Sequence, residues 1–481
     1  MVIVVISSYK IPTSNAPYDL AIIGAGPAGL AAAEKAASLG AKVALIERNQ
    51  LGGNSLNVGS IPSKALIRSA RLDSAIKESA EFDDAPASAR ALNFAAVMAR
   101  MRRIRARIGE YHSTERLERA GIDVYLGAGK FDAPDSLRVG EVRVPFVNVL
   151  IATGARPSAP GIVGLDTVGY LTSDTMFDLT LLPKRLIVIG GGPLGCELAQ
   201  ALCRLGAQVT IVQNEPKFLP REERDAAELL SRCLARDGVD IRLNTTVVGA
   251  RLENGTKVLD TLDNEKKGLV AADEILLSVG RTPNVEKLGL AAAKVEFDHE
   301  RGIVTDDFLA TTNPRVYAAG DVCMEHKFAN VAEASARMAV DNLLRAGRAR
   351  RSELLIPWCT YCDPEIAHVG LQVWQARARS IPVKSYTVMM QDVDRAITDD
   401  QARGFVKIHT KIGSDRIVGA TIVASRASEM INELCVAMRS NMGLRALADV
   451  LHTYPSQCDA IRSAAAAYVQ DQELRSGAQG R

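Results

Sequence analysis

No run of apolar residues in this chain approaches the ~20 that a membrane-spanning helix requires, so the sequence predicts no helical span. Charge of one sign is also lacking. The 58 lysines and arginines against 56 aspartates and glutamates leave a net charge of +2, which argues against nucleic acid or an anionic membrane as the main partner. Cysteine is sparse, eight in 481 residues and without the spacing of a disulfide framework, which predicts a reducing, cytoplasmic setting. Cys359 and Cys362 make one C-x-x-C pair, but no second pair accompanies it and no metal centre is expected. Residues 2–6 are apolar but short, no basic segment precedes them, and they run into Ser7-Ser8 and a loop bounded by Pro12 and Pro17. They read as an N-terminal extension rather than a signal peptide. The densest basic run, Arg100-Met101-Arg102-Arg103-Ile104-Arg105-Ala106-Arg107, reads as the solvated face of a helix. At about 150 residues per domain the length predicts roughly three domains.

Against these absences stands a glycine pattern that occurs twice. Asp19-Leu20-Ala21-Ile22-Ile23 reads as a buried strand. It leads through Gly24-Ala25-Gly26-Pro27-Ala28-Gly29 into an alanine-rich helical run over 30–38, and a second strand over 42–46 is closed by Glu47. G-x-G-x-x-G alone is weak evidence; between a strand and a helix, with an acid about 20 residues on, it marks a dinucleotide site. Gly24 permits the tight turn, Gly26 lets the backbone approach a pyrophosphate, and Gly29 lets helix and strand pack closely. The helix N-terminus then faces the phosphate charge, and Glu47 accepts hydrogen bonds from a ribose. A second unit of this design runs from Arg185-Leu186-Ile187-Val188-Ile189 through Gly190-Gly191-Gly192-Pro193-Leu194-Gly195 to a strand over 208–212. Two fingerprints imply two dinucleotides. Gln213 ends that strand, where an acid would bond the ribose and repel a 2′-phosphate. Glutamine does only the first, so the choice between NADH and NADPH stays open, with Lys217 and Arg221 within reach.

Between the units lies Leu51-Gly52-Gly53-Asn54-Ser55-Leu56-Asn57-Val58-Gly59-Ser60-Ile61-Pro62-Ser63-Lys64. This segment resembles the active-site segment of the FAD-dependent pyridine nucleotide-disulfide oxidoreductases, the family of dihydrolipoamide dehydrogenase, glutathione reductase and mercuric reductase. Further motifs follow in the family order over about residues 18–468, among them Leu277-Ser278-Val279-Gly280-Arg281 and Val316-Tyr317-Ala318-Ala319-Gly320-Asp321. The resemblance implies an α/β chain with two Rossmann-like domains, for FAD and NAD(P), and a C-terminal α+β dimerisation domain. Its expected order is an extension over 1–17, FAD-binding residues 18–155, NAD(P)-binding residues 156–284, a return to the FAD domain over 285–345, a dimerisation domain over 354–468 and a tail over 469–481. A linker is expected at 346–351, an antiparallel sheet from segments such as 404–409 and 416–423, and helices at 429–440 and 444–451. FAD, NAD(P)H and a homodimer follow by the same resemblance. So do flavin contacts at Gly53, Ala128 and Ala329, nicotinamide-domain contacts at Gly190, Gly192, Gly195, Gln213 and Gly280, and a bond from Asp321 to the ribityl chain. Thr153 and Gly154 serve either as ligand contacts or as a hinge. Lys64 is expected near the reactive flavin nitrogen, paired with Glu197, whose alternative role is that of an ordinary acid at a helix N-terminus.

Two departures set the functional expectation. Ser55 and Ser60 stand where relatives carry the two cysteines that relay electrons from flavin to substrate, and hydroxyls form no dithiol-disulfide couple. In the tail, Tyr454 replaces the histidine of His-Pro-Thr-x-x-Glu and Asp459 the glutamate. A phenol with a pKa near ~10 is a poor base at neutral pH but a good donor to a carbonyl or oxyanion. His452 lies two residues early and is expected to point elsewhere. The tail is most like that of mercuric reductase-like proteins, yet residues 476–481 hold no cysteine pair to capture Hg(II), which argues against mercury reduction. The expected activity is hydride transfer from NAD(P)H to FAD and then directly to a small-molecule electron acceptor, a quinone or similar oxidant. The alternatives are an NAD(P) transhydrogenase, or a flavin-binding sensor or partner protein with little turnover.

Overall fold

The computed structural model describes residues 16–78 and 92–479. Nearly all of the expected N-terminal extension lies outside the described residues. Strand Tyr18–Ile23 is buried at all but one position and pairs in parallel with Val43–Glu47 on one side and Val142–Ile151 on the other. Ile122–Leu126 extends the sheet beyond Val43–Glu47, and Val316–Ala318 pairs in parallel with Val142–Ile151. Such continuous apolar runs suit a parallel sheet covered on both faces. Helices Pro27–Ser38 and Ala329–Leu344 pack on each other, so a segment some 300 residues downstream completes the first nucleotide unit.

The second unit is a four-stranded parallel sheet in the order Asp240–Arg242, Gln208–Val212, Arg185–Ile189, Glu274–Leu277, with an antiparallel three-stranded sheet over Thr245–Glu253, Thr256–Asp263 and Lys266–Ala272. The chain enters it through Ala155–Pro157 and leaves through Arg281–Pro283, and these two short strands pair antiparallel. At the junction Thr153 Oγ1 donates to the Asn284 carbonyl at 2.8 Å, and Asn284 Nδ2 donates back to the Thr153 carbonyl at 2.9 Å. These reciprocal bonds tie the crossing between the units.

The third unit is a five-stranded antiparallel sheet in the order Pro357–Thr360, Glu365–Gly370, Ile417–Ala424, Phe405–Lys411, Val383–Met389. Helices Ala427–Arg439 and Asp459–Gln479 bury apolar side chains with it in one core. The structure corrects several expectations. The helix at Leu444 ends at Ala448 rather than 451. Residues 469–479 do not form a separate tail: helix Asp459–Gln479 continues through them. Tyr468 is buried there, and Asp471 accepts from Lys384 Nζ at 2.6 Å and Tyr386 Oη at 3.1 Å. The expected linker over 346–351 is tied to its surroundings, since Asn342 brackets Ala349 from both sides and Arg351 Nη1 donates to Thr305 Oγ1. The basic run on helix Phe94–Gly109 is only partly solvated. Arg100 donates to the Ala65 carbonyl, Arg102 to those of Phe177 and Leu179, and Arg105 to that of Asn57. Carbonyls near helix ends lack intrahelical partners, and long guanidinium side chains reach them while their stems cover apolar surface.

Candidate active site

The first glycine turn opens on a cleft of about 1180 Å³ lined by residues of all three units. Gly24 has φ +104°, and a Cβ there would stand 2.4 Å from the Ala152 carbonyl oxygen. Gly29 lies off the cleft. Its Cβ would stand 1.8 Å from the Gly24 carbonyl oxygen, so its part is to let helix and turn touch. Gly26 is the N-cap of Pro27–Ser38 and no side chain caps that helix, an arrangement that suits an anion at its first-turn N–H groups. Gly53 approaches so closely that a Cβ would lie 2.6 Å from Gly26 Cα. Glu47 also lines the cleft; its Oε2 accepts from the Ala25 N–H and its Oε1 from the Asn49 N–H, each at 2.8 Å. The volume exceeds the roughly 300–1,000 Å³ of a drug-sized ligand site.

Ser55 sits on the short helix Gly53–Asn57, Ser60 opens helix Ser60–Glu78, and both line the cleft. Side-chain amides stitch this segment in place. Asn57 Nδ2 donates to the carbonyls of Leu51 and Gly53, Asn54 Nδ2 donates to that of Ala155, and Arg105 holds the Asn57 carbonyl at 3.0 Å. One turn further on, Lys64 Nζ stands 2.7 Å from Glu197 Oε2. Glu197 is 3% exposed against 33% for Lys64, and its second oxygen accepts from the Tyr361 N–H at 2.9 Å. The Tyr361 ring lies 4.2 Å from the Lys64 ammonium. A buried carboxylate needs such partners, and an aromatic face adds to the hold on the cation.

The second fingerprint repeats the first. Gly190 has φ +100°, and a Cβ at Gly195 would stand 2.3 Å from the Gly190 carbonyl oxygen. Gly192 caps helix Pro193–Arg204 without a side chain, and that helix carries Glu197 in its second turn. Gln213 does for this unit what Glu47 does for the first: its Oε1 accepts from the Gly191 N–H at 2.8 Å, which turns its Nε2 donors outward. Gly280, at φ +114°, accepts from the Ser158 N–H where the chain leaves the unit.

Family comparison agrees with this geometry. The model of the pyridine nucleotide-disulphide oxidoreductases matches residues 18–337, and that of their dimerisation domain matches residues 356–465. This chain belongs to the pyridine nucleotide-disulphide oxidoreductase family. Similar relatives are mercuric reductases. That of Shigella flexneri is 34% identical over 467 residues, covering 95% of this chain and 82% of the relative. That of Streptomyces lividans is 32% identical over 462 residues, covering 94% and 97%. Among solved structures, the HOCl-induced flavoprotein disulfide reductase RclA of Escherichia coli aligns with TM-score 0.84 at 28% identity over 93% of this chain and 99% of its own. LpdA of Mycobacterium tuberculosis aligns with TM-score 0.85 at 27% identity over the same shares. As a family member the chain is an FAD-dependent oxidoreductase that uses FAD and NAD(P)H, and no helix among the described residues is long and apolar enough to cross a membrane.

Within that frame the family motif at Asp321 also lines the cleft. Burial pushes its carboxyl up, with Arg281 Nε 4.0 Å away opposing. Ala329, also lining the cleft, begins helix Ala329–Leu344. Other expected residues lie elsewhere. Ala128 is exposed beside the Glu47 end of the sheet, outside the cleft lining, tied only through the Gly127 N–H to the Glu47 carbonyl. Tyr454 and Asp459 do not reach the cleft of their own chain or bond each other: Tyr454, 75% exposed, donates to Asp394, and Asp459 pairs with Arg462. His452 is turned away to Glu433, at 2.7 Å. Cys359 lines the cleft with Cys362 buried nearby; burial pushes both thiols well above their ordinary value, and no metal-binding cluster occurs among the described residues.

Sequence reading missed three residues. Tyr361 clamps Glu197 through its backbone, which no side-chain pattern signals. Trp358 lines the cleft and donates its indole N–H to the buried Glu222 at 2.9 Å, joining two units far apart in sequence. Lys327 follows the Asp321 motif closely enough that a basic residue six positions on was a readable signal.

Proposed function

We propose that this chain is an NAD(P)H oxidoreductase whose flavin, once reduced, hands its electrons directly to a small non-disulfide acceptor, a quinone or similar oxidant. The supporting observation is that Ser55 and Ser60 face the cleft where the family resemblance expects the redox cysteines. Serine has no sulfur to oxidise, so a dithiol relay has no seat there. Of the remaining cysteines, Cys359 lines the cleft with Cys362 nearby, but burial pushes both thiols well above their ordinary value. Cys196 and Cys203 lie seven residues apart on one helix, a rise of about 10 Å, beyond the ~7 Å between Cα atoms that a disulfide spans. Burial also raises both thiols, with Cys196 fully buried.

When bound, FAD supplies the centre that takes a hydride from NAD(P)H and later releases two electrons. The chain's own residues position and exclude. The two uncapped helix N-termini hold the pyrophosphates, Glu47 and Gln213 the riboses, and Asp321 the ribityl chain. Lys64 and Glu197, locked by Tyr361, present a fixed polar pair beside the reacting ring without the mobility of an exposed lysine. The acceptor gains two electrons and two protons, one proton arriving with the hydride and one from solvent. In a homodimer built on the dimerisation domain, Tyr454 and Asp459 would face the second subunit's cleft. There the Tyr454 phenol donates a hydrogen bond to the acceptor's carbonyl.

Anaerobic stopped-flow mixing of the FAD-loaded protein with NADH or NADPH tests this. Bleaching of the flavin without a thiolate-to-flavin charge-transfer band, then reoxidation by a quinone, is the expected course. A cysteine adduct that forms and decays with each turnover would overturn it. Reoxidation by a nicotinamide analogue alone would favour transhydrogenation, and no bleaching by either nucleotide would favour a binding protein.

A further inference from the structure

A hydride carries one negative charge, so its transfer onto a neutral isoalloxazine leaves a monoanionic ring in the cleft. The charged groups of the cleft that lie nearest each other mostly cancel. Lys64 is neutralised by Glu197 at 2.7 Å, and Arg281 faces Asp321 at 4.0 Å. Arg48 lies exposed next to Glu47, and Asp174 and Glu429 are exposed. Lys327 is the more buried of the two cleft cations without an ion pair among the described residues, Arg48 being exposed, and the Asp321 and Glu325 carboxylates act on it only from beyond pairing distance. It lines the cleft half-buried, no carboxylate stands within ion-pair distance of it among the described residues, and its ammonium is fixed by two carbonyls, Asp321 O at 3.0 Å and Met324 O at 3.2 Å. Two of its three N–H donors are thereby used, leaving one.

Its place in the chain strengthens the case. Lys327 lies two residues before helix Ala329–Leu344, whose first turn carries no acid and whose N-terminus has no side-chain cap. A fixed cation and the positive end of a sixteen-residue helix therefore meet where Ala329 and Asp321 border the flavin site. We infer that Lys327 is a positioning residue that supplies the uncancelled positive charge for the reduced, anionic flavin. The charge raises the affinity of the ring for electrons; it does not itself transfer a proton. The inference rests on FAD binding and is independent of which acceptor follows.

The test uses the full-length FAD-loaded protein and the variants Lys327→Gln and Lys327→Arg. Two readouts apart from turnover are the dissociation constant for sulfite, an anion that adds to electron-poor flavins, and the two-electron midpoint potential. Lys327→Gln is expected to weaken sulfite binding about tenfold and to lower the potential by the ~30 mV that a tenfold change in a two-electron equilibrium represents. Lys327→Arg should restore both. Unchanged values in Lys327→Gln with full flavin content would overturn the inference. The wild type provides a measurement that does not depend on variant folding. Uptake of one proton per electron pair between pH 6 and 7 gives a slope of about 30 mV per pH unit; about 60 mV, two protons, would mean a neutral reduced ring and sink the proposal.

Discussion

Tyr361 and Glu197 lie 164 residues apart in the chain, yet the Tyr361 backbone N–H donates to Glu197 Oε1 at 2.9 Å while Lys64 occupies the other oxygen. One carboxylate thus joins all three units of the fold. Because each of its oxygens has a charged or backbone donor, the side chain is fixed before any ligand arrives, and the Lys64 ammonium is fixed with it.

Removing that carboxylate should therefore cost both stability and reaction. Glu197→Ala leaves the Tyr361 N–H and the Lys64 ammonium unpaired, and a loss of about 3 kcal/mol is expected, the low end for breaking a buried pair because Lys64 is a third exposed. Glu197→Gln keeps an acceptor for Tyr361 and removes the charge. Denaturant titration should find it within about 1.5 kcal/mol of wild type, while stopped-flow shows flavin reduction slowed at least about tenfold. Flavin reduction by Glu197→Gln at the wild-type rate would argue that the charge itself is idle.

Restoring sulfur tests the assignment of the serines. Ser55 and Ser60 are held on a segment stitched by Asn54, Asn57 and Arg105. The double variant Ser55→Cys with Ser60→Cys is expected to form a reducible disulfide. On reduction it should show a long-wavelength charge-transfer absorbance absent from the wild type. Free thiols that never pair under oxidising conditions would show that these positions are not the seats of a sulfur relay.

Gln213 is expected to govern nucleotide choice. Its Oε1 is occupied by the Gly191 N–H, so its amide N–H groups face outward, and they can donate to a ribose hydroxyl or a 2′-phosphate alike. Gln213→Glu keeps the bond to Gly191 but turns a negative oxygen outward. The ratio of kcat/KM for NADPH over NADH is expected to fall about tenfold, some 1.4 kcal/mol, chiefly through NADPH. A ratio that does not move would place nucleotide selection elsewhere.

Glu222 gives a pH signature. Burial pushes its carboxyl from 4.5 up to about 7 against the opposing bond from Trp358, and its Oε2 has no partner among the described residues. Between about pH 4.5 and 7 the unfolded chain has released this proton and the folded chain retains it, so stability attributable to Glu222 declines as pH rises through that window and is level above it. Glu222→Gln, neutral at every pH, should gain stability relative to wild type by roughly 1–3 kcal/mol from pH 4.5 to 7. Parallel pH profiles for the two proteins in urea titrations would refute the shift.

Much of this was legible in the amino-acid sequence. The two glycine turns, with Gly24 and Gly190 at positive φ and Gly29 and Gly195 packed on carbonyls, are local: only a residue without a Cβ fits, so the pattern itself states the requirement. Burial of consecutive apolar residues in Tyr18–Ile23 and Arg185–Ile189 is equally local, and it set the α/β architecture. The absence of sulfur at Ser55 and Ser60 is a fact of composition that no folding alters.

What needed the tertiary structure were the contacts made by backbone groups and by residues distant in sequence. The basic run of helix Phe94–Gly109 turned inward because carbonyls at other helix ends lacked donors, which charge counting could not reveal. The segment expected as a tail became helix because Lys384 and Tyr386, on a strand some 85 residues earlier, supply partners for Asp471. Lys64 found Glu197, and Lys327 has no carboxylate within ion-pair distance among the described residues, because packing three units around one cleft decides which charges meet. A sequence fixes which groups exist and their short-range geometry, whereas cancellation between charges depends on distances that only the folded chain sets.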